Sequence, residues 1–165
     1  MRRMGIDPGL SGAVVILENG QPIEWMRMPT YMMGKSNRVN GAALASFING
    51  SEVELAIIEQ VHAMPKQGVT SMFTFGHACG TVMGVLGALE IPVASITPQE
   101  WKKRAGLVGK DKDAARSKAL EIWPHWRVLD KKGEGQAMAD AALIARFACI
   151  KNRLLIACLT SILSG

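Results

Sequence analysis

The first sixty residues alternate short apolar runs with turn signals, at a spacing that suits strands rather than helices. Residues 3–7 and 12–18 read as two strands around the turn Pro8-Gly9-Leu10-Ser11. Residues 21–28 read as a third, because Asn19-Gly20 is a two-residue hairpin signal. Three antiparallel strands therefore begin the sheet. Residues 31–37 are polar and contain a glycine, which predicts a mobile loop. A short helix over 42–48 follows Val39 or Asn40 and stops at Asn49-Gly50. Residues 54–59 are apolar between acidic ends and predict a buried strand, after which 62–68 form a loop with Pro65 and Gly68.

The period then lengthens. A long helix is predicted over 70–89, although it carries Gly76, Gly80, Gly84 and Gly87, and each glycine costs about 1 kcal/mol relative to alanine. The first three lie four apart and share one face. Such a stripe suits close approach of a neighbour, either the sheet or a second copy of the helix. Residues 91–96 predict another strand, and Thr97 caps a short helix that has Pro98 at its first position. Further helices are predicted over 111–122, from 134 or 136 to 148, and over 152–163. This order is that of an α/β fold: a mixed five-stranded sheet with helices on both faces.

Composition narrows the class. The chain has 165 residues, read as one domain over 1–165, with 48% hydrophobic and 20% charged residues, which excludes disorder. Its formal charge of +5 is weak evidence for a polyanionic partner until the charge is located. Cys79, Cys149 and Cys158 lack ligand-like spacing and read as buried thiols in a reducing compartment. No signal-peptide pattern opens the chain, and the apolar stretch 154–163 is too short to span a bilayer, so a cytoplasmic location is expected.

Three carboxylates stand where chemistry is expected. Asp7 ends the first strand before a glycine-rich turn, and Glu59 ends the apolar run Leu55-Ala56-Ile57-Ile58. Two carboxylates at neighbouring strand ends repel unless a cation lies between them, so the pair marks a divalent-metal site. Asp140, alone among small residues in an otherwise apolar helix, is the third ligand. The plainer alternatives are a turn cap for Asp7, an exposed strand end for Glu59 and a helix cap for Asp140. A fourth ligand is harder to place. Glu134 reaches the site only if the helix begins after it, while Gln136 offers a neutral amide oxygen or a partner for a bound water. Asp111 and Asp113 read as favourable charges at a helix start.

The segment 101–118 holds seven Lys/Arg against two Asp. Lys102, Lys103, Lys110, Lys112, Arg116 and Lys118 form either a phosphate-contacting face or a solvated one, and Arg127, Lys131 and Lys132 extend it. The loop after Glu59 overhangs the proposed site, where His62 could touch a base and Lys66 a phosphate, the plainer alternative being an incidental loop histidine, and residues 32–38 are expected on that side. Trp101, Trp123 and Trp126 read as packing residues.

Taken together, Ile6-Asp7-Pro8-Gly9-Leu10-Ser11-Gly12-Ala13, Ile57-Ile58-Glu59-Gln60-Val61, residues 97–103 (TPQEWKK) and residues 138–145 (MADAALIA) resemble the RuvC family of Holliday junction resolvases, in order and over nearly the whole chain. The resemblance implies a ribonuclease-H-like fold and a homodimer that nicks four-way DNA junctions symmetrically, leaving 5′-phosphate and 3′-hydroxyl ends. It also implies two Mg²⁺ ions, replaceable by Mn²⁺, held by four carboxylates, of which the first three carry over as Asp7, Glu59 and Asp140. Lys102, Lys110 and Lys112 match the basic residues near the scissile phosphate, with a catalytic role for Lys112, and His62 matches a residue near the crossover. The departure is at Ala137, where the bacterial pattern has an aspartate. The compact length fits a bacteriophage source and action in a bacterial or phage-infected cell. Alternatives are a nuclease of this fold acting on RNA–DNA hybrids or flaps, and a junction-binding protein with weak catalysis. A kinase-like phosphate loop at residues 7–12 is disfavoured by the chain's length.

Overall fold

A computed structural model describes residues 1–60, 68–111 and 113–147. The strands are β1 (Arg2–Ile6), β2 (Ala13–Glu18), β3 (Gln21–Arg27), β4 (Thr30–Met33), β5 (Ser36–Val39), β6 (Leu55–Glu59) and β7 (Val93–Ile96). The helices are α1 (Gly41–Ile48), α2 (Val69–Ala88), α3 (Pro98–Ala105), α4 (Ala114–Ile122) and α5 (Lys132–Phe147), with a 3₁₀ turn at Arg127–Asp130. The main sheet has the order β3-β2-β1-β6-β7. Its first three strands are antiparallel, while β1–β6 and β6–β7 are parallel pairs. The predicted mixed five-stranded sheet is therefore present.

Strand alternation divides the apolar residues into two cores. Met4, Ile6, Val14, Ile16, Ala56 and Ile58 face α1 and α2. Ala13, Val15, Leu17 and Ile57 face the opposite side, where α3, α4 and α5 supply Trp101, Ala119, Leu143 and Ile144. Helix α5 lies deepest, with Met138, Ala139, Ala141, Ala142 and Ala145 all buried. A side chain on Gly5 would run into the Ala141 carbonyl oxygen and lie 2.7 Å from the Ala145 nitrogen. Bare backbone on β1 and alanines on α5 thus draw helix and strand together.

Several boundaries differ from expectation. Residues 31–37 belong to a β4–β5 hairpin, not a loop. Gly34 takes a left-handed φ of 62°, and Asn40 N–H donates to the Pro29 carbonyl at 2.8 Å to close the hairpin base. Helix α4 begins at Ala114, so Asp111 precedes it, and Asp113 makes no side-chain cap bond. Helix α5 begins at Lys132, earlier than expected. Helix α2 packs through Ala78, Val82 and Leu86, whereas side chains built at Gly76, Gly80 and Gly84 would meet nothing within 4 Å. The glycine stripe therefore does not serve approach to the sheet. Cys79, on the same helix, is half-buried, not fully enclosed. The expected helix over 152–163, with Cys149 and Cys158, lies outside the described residues.

Candidate metal centre

The parallel register puts Ile6 beside Ile58, so Asp7 and Glu59 are the next residues on adjacent strands, at the strands' carboxyl ends. Neighbouring strands lie about 4.8 Å apart. By alternation both residues share the face of Gly5 and Ile57, the face that α5 covers. Close approach of α5 at Gly5 brings Asp140, next to Ala141, to that same end of the sheet.

Each carboxylate is held by a local device. The Asp7 backbone N–H donates to the Ala13 carbonyl at 3.0 Å, and its Oδ1 accepts from Gly9 N–H at 3.2 Å. A β-carbon at Gly12 would lie 2.8 Å from Asp7 Cγ, so that turn admits no larger residue beside the carboxylate. Glu59 Oε1 accepts from the Trp101 indole N–H at 2.7 Å. Asp140 accepts from Gln136 Nε2 at 3.2 and 3.3 Å, one helical turn earlier.

Burial raises the pKa of Asp7, with the Gly9 N–H opposing. Glu59 is raised by burial and by the charge of Asp7, against the Trp101 N–H and Lys102. Asp140 is pushed up to about 7, chiefly by burial and further by Asp7 and Glu59, with Gln136 and Lys102 opposing. Asp140 thus feels both other carboxylates, and Glu59 feels Asp7. Among the described residues, however, no three His, Cys, Asp or Glu side chains converge closely enough to form a ready-made cage. The three groups are neighbours whose like charges resist closer approach.

This donor set suits a hard divalent cation. It consists of carboxylate oxygens, with the buried Gln136 Oε1 beside Asp140 taking no hydrogen bond among the described residues. The pH dependence of the metal-free protein follows. Because Asp140 is protonated more readily folded than unfolded, its contribution to stability is present below pH 4 and is lost as pH rises to about 7. Asp140→Asn is therefore expected to stabilise the metal-free protein at pH 8 by about 2 kcal/mol, after discounting for partial solvation. It is expected to change stability little at pH 4, as read by urea unfolding at both pH values.

Charge around the centre is distributed unevenly. Lys102, Lys110, Asp111, Gln136 and Asp140 line a cleft of about 290 Å³. Asp111 thus faces the site's surroundings instead of a helix start. Lys103 is exposed on α3. Lys118 pairs with Glu121 at 2.8 Å and Lys132 with Asp113 at 2.7 Å. Arg116 donates from Nη1 to the Leu129 carbonyl at 3.0 Å, and its Nε is buried. This bond ties α4 to the 3₁₀ turn, and Arg116 as a whole is half-buried. Glu134 lies inside the first turn of α5 and pairs with Lys131 at 3.5 Å. Six residues along a helix correspond to about 9 Å of rise and a different face, so Glu134 does not join Asp140. His62, Lys66 and Lys112 lie outside the described residues.

Sequence patterns did not single out Trp101 as a site residue. Thr97 and Glu100 form a reciprocal capping box with Pro98 in the first turn. That cap starts α3 directly after β7, which pairs with β6, and so carries the indole to the strand end occupied by Glu59.

No protein-family model and no curated protein sequence matches the chain. Comparison of structures defines the class: the fold is ribonuclease-H-like, of the RuvC type. The particular likeness is to RuvC of Thermus thermophilus, at 15% identity and a TM-score of 0.56, covering 87% of this chain and 92% of that one. T. thermophilus RuvC in complex with a Holliday junction substrate matches at 15% identity and a TM-score of 0.58, covering 99% and 97%. At this identity the likeness establishes the fold.

Proposed function

We propose that the protein is a divalent-metal-dependent endodeoxyribonuclease that resolves four-way DNA junctions by paired symmetric nicks. The observation that carries this reading is the placement of Asp7, Glu59 and Asp140 at one end of a RuvC-type sheet, within reach of one another's charge. Asp7 is the central ligand, with Asp140 and Glu59 on either side of it. When bound, Mg²⁺ or Mn²⁺ ions supply polarisation of the attacking water and stabilisation of the leaving 3′ oxygen. The chain's own groups position the ions and the phosphate. Lys102 and Lys110, beside Asp140, hold the DNA backbone, joined by Lys103, Lys112, and His62 and Lys66 after Glu59.

Symmetric cutting needs two such centres facing strands of opposite polarity, which a homodimer supplies. The outward face of α2 supports such a pairing. Val69, Phe73 and Met83 are exposed there, beside open glycines that allow close backbone approach.

One observation favours a second reading, a junction-binding protein with weak catalysis. Among the described residues three carboxylates are neighbours at this end of the sheet without a ready-made cage, and Ala137 stands one turn before Asp140. The test compares a mobile four-way junction, a linear duplex and an RNA–DNA hybrid in Mg²⁺ and in Mn²⁺. Paired nicks confined to the junction, and absent in EDTA, are expected. Preferential cutting of the hybrid assigns the alternative nuclease activity, while tight junction binding without cleavage in either metal assigns the binding role.

A further inference from the structure

We propose that Trp101 is a positioning residue for the metal centre, orienting the Glu59 carboxylate through its indole N–H. The proposal rests on Glu59 acting as a metal ligand. Trp101 is 1% exposed, and its Nε1–H donates to Glu59 Oε1 at 2.7 Å. Among the described residues Oε1 has this one donor and Oε2 has none, so the indole fixes one oxygen and leaves the other for a cation.

Ordinary packing does not require this geometry. A tryptophan in the core needs only some acceptor for its N–H, and Trp123 finds one in the Gly20 carbonyl at 2.9 Å. Trp101 instead uses the end of a side chain with several rotatable bonds, at the strand end beside Asp7. Without that anchor, Glu59 is free to swing away from Asp7, as like charges favour. The donor is itself rigid. The Thr97–Glu100 capping box and Pro98 hold the first turn of α3, and the indole is walled in by the α5-side core. The ring also carries the Lys102 ammonium 5.4 Å from its centroid, and Lys102 lines the cleft at Asp140. One buried side chain thereby sets an anionic ligand and a neighbouring cation. Partners of this kind, hydrogen-bonded to a metal ligand, orient it and strengthen metal binding.

The test removes the donor while keeping the volume. Trp101→benzothienylalanine replaces the N–H by sulfur and retains the bicycle, and Trp101→Phe is a second variant. Mn²⁺ affinity is measured by calorimetry on the full chain without DNA, in the wild-type and Glu59→Gln backgrounds. The benzothienylalanine variant is expected to bind Mn²⁺ about tenfold more weakly in the wild-type background. In the Glu59→Gln background the same replacement is expected to change affinity less than about twofold, because the coupled carboxylate has already gone. An equal loss in both backgrounds, or none in either, overturns the positioning role while leaving Glu59 as a ligand. If Glu59→Gln alone leaves both Mn²⁺ affinity and junction cleavage unchanged, the assignment of Glu59 falls and takes this proposal with it.

Discussion

Asp7→Asn is expected to reduce cleavage of a four-way junction by about 1,000-fold or more, because metal-held transition-state stabilisation is worth several kcal/mol and each 1.36 kcal/mol is a factor of ten. The substitution keeps the side chain's size, and the amide oxygen can still accept from Gly9 N–H, so the turn at 8–12 has no steric reason to change. What disappears is the charge next to Glu59 and Asp140. Junction binding in EDTA is expected to stay within about twofold of wild type, because the proposed phosphate contacts are made by lysines and not by Asp7. Single-turnover cleavage and gel-shift binding separate the two effects. Wild-type cleavage by Asp7→Asn removes the metal centre from the account. Loss of both binding and cleavage implies instead that Asp7 serves the fold.

The second large effect concerns a residue with no side chain. Gly5→Val is expected to destabilise the fold by about 3 kcal/mol, the upper part of the overpacking range, since the clash is with backbone that has no rotamer to change. A β-carbon there meets the Ala141 carbonyl and the Ala145 nitrogen, so α5 must move off the sheet and take Asp140 with it. Cleavage is therefore expected to fall even under conditions where the variant remains folded. Urea denaturation and junction cleavage on the same preparation test both parts. Wild-type stability for Gly5→Val contradicts the close β1–α5 packing on which Asp140 depends.

Much of the architecture was legible along the chain because its signals are local. The Asn19-Gly20 turn, the Asn40 cap before α1 and the Thr97-Pro98 start of α3 each have a backbone cause within a few residues. The alternation of β1 and the run before Glu59 likewise revealed that two carboxylates end neighbouring strands. Signals depending on distant partners were harder to read. The polar letters of 31–37 concealed a hairpin, since its pairing depends on Gly34 taking a left-handed turn rather than on an apolar stripe. The bond from Arg116 to the Leu129 carbonyl, beyond the end of α4, likewise has no local signal in the sequence. Glu134 depended on where α5 begins, which no cap motif marks. The glycines of α2 attracted attention as a packing stripe, whereas the contact that positions Asp140 is made by the single Gly5. Trp101 was legible as a core residue, yet its bond to Glu59 spans 42 positions and has no counterpart in any local motif.

In the proposed function, Asp7, Glu59 and Asp140 share a divalent cation at the carboxyl ends of β1 and β6. Crystals soaked in saturating Mn²⁺, with anomalous diffraction recorded for manganese, address this most directly. The expected result is an anomalous peak coordinated by Asp7 together with Asp140, Glu59 or both. Manganese bound only elsewhere, with these carboxylates uncoordinated at saturation, contradicts it.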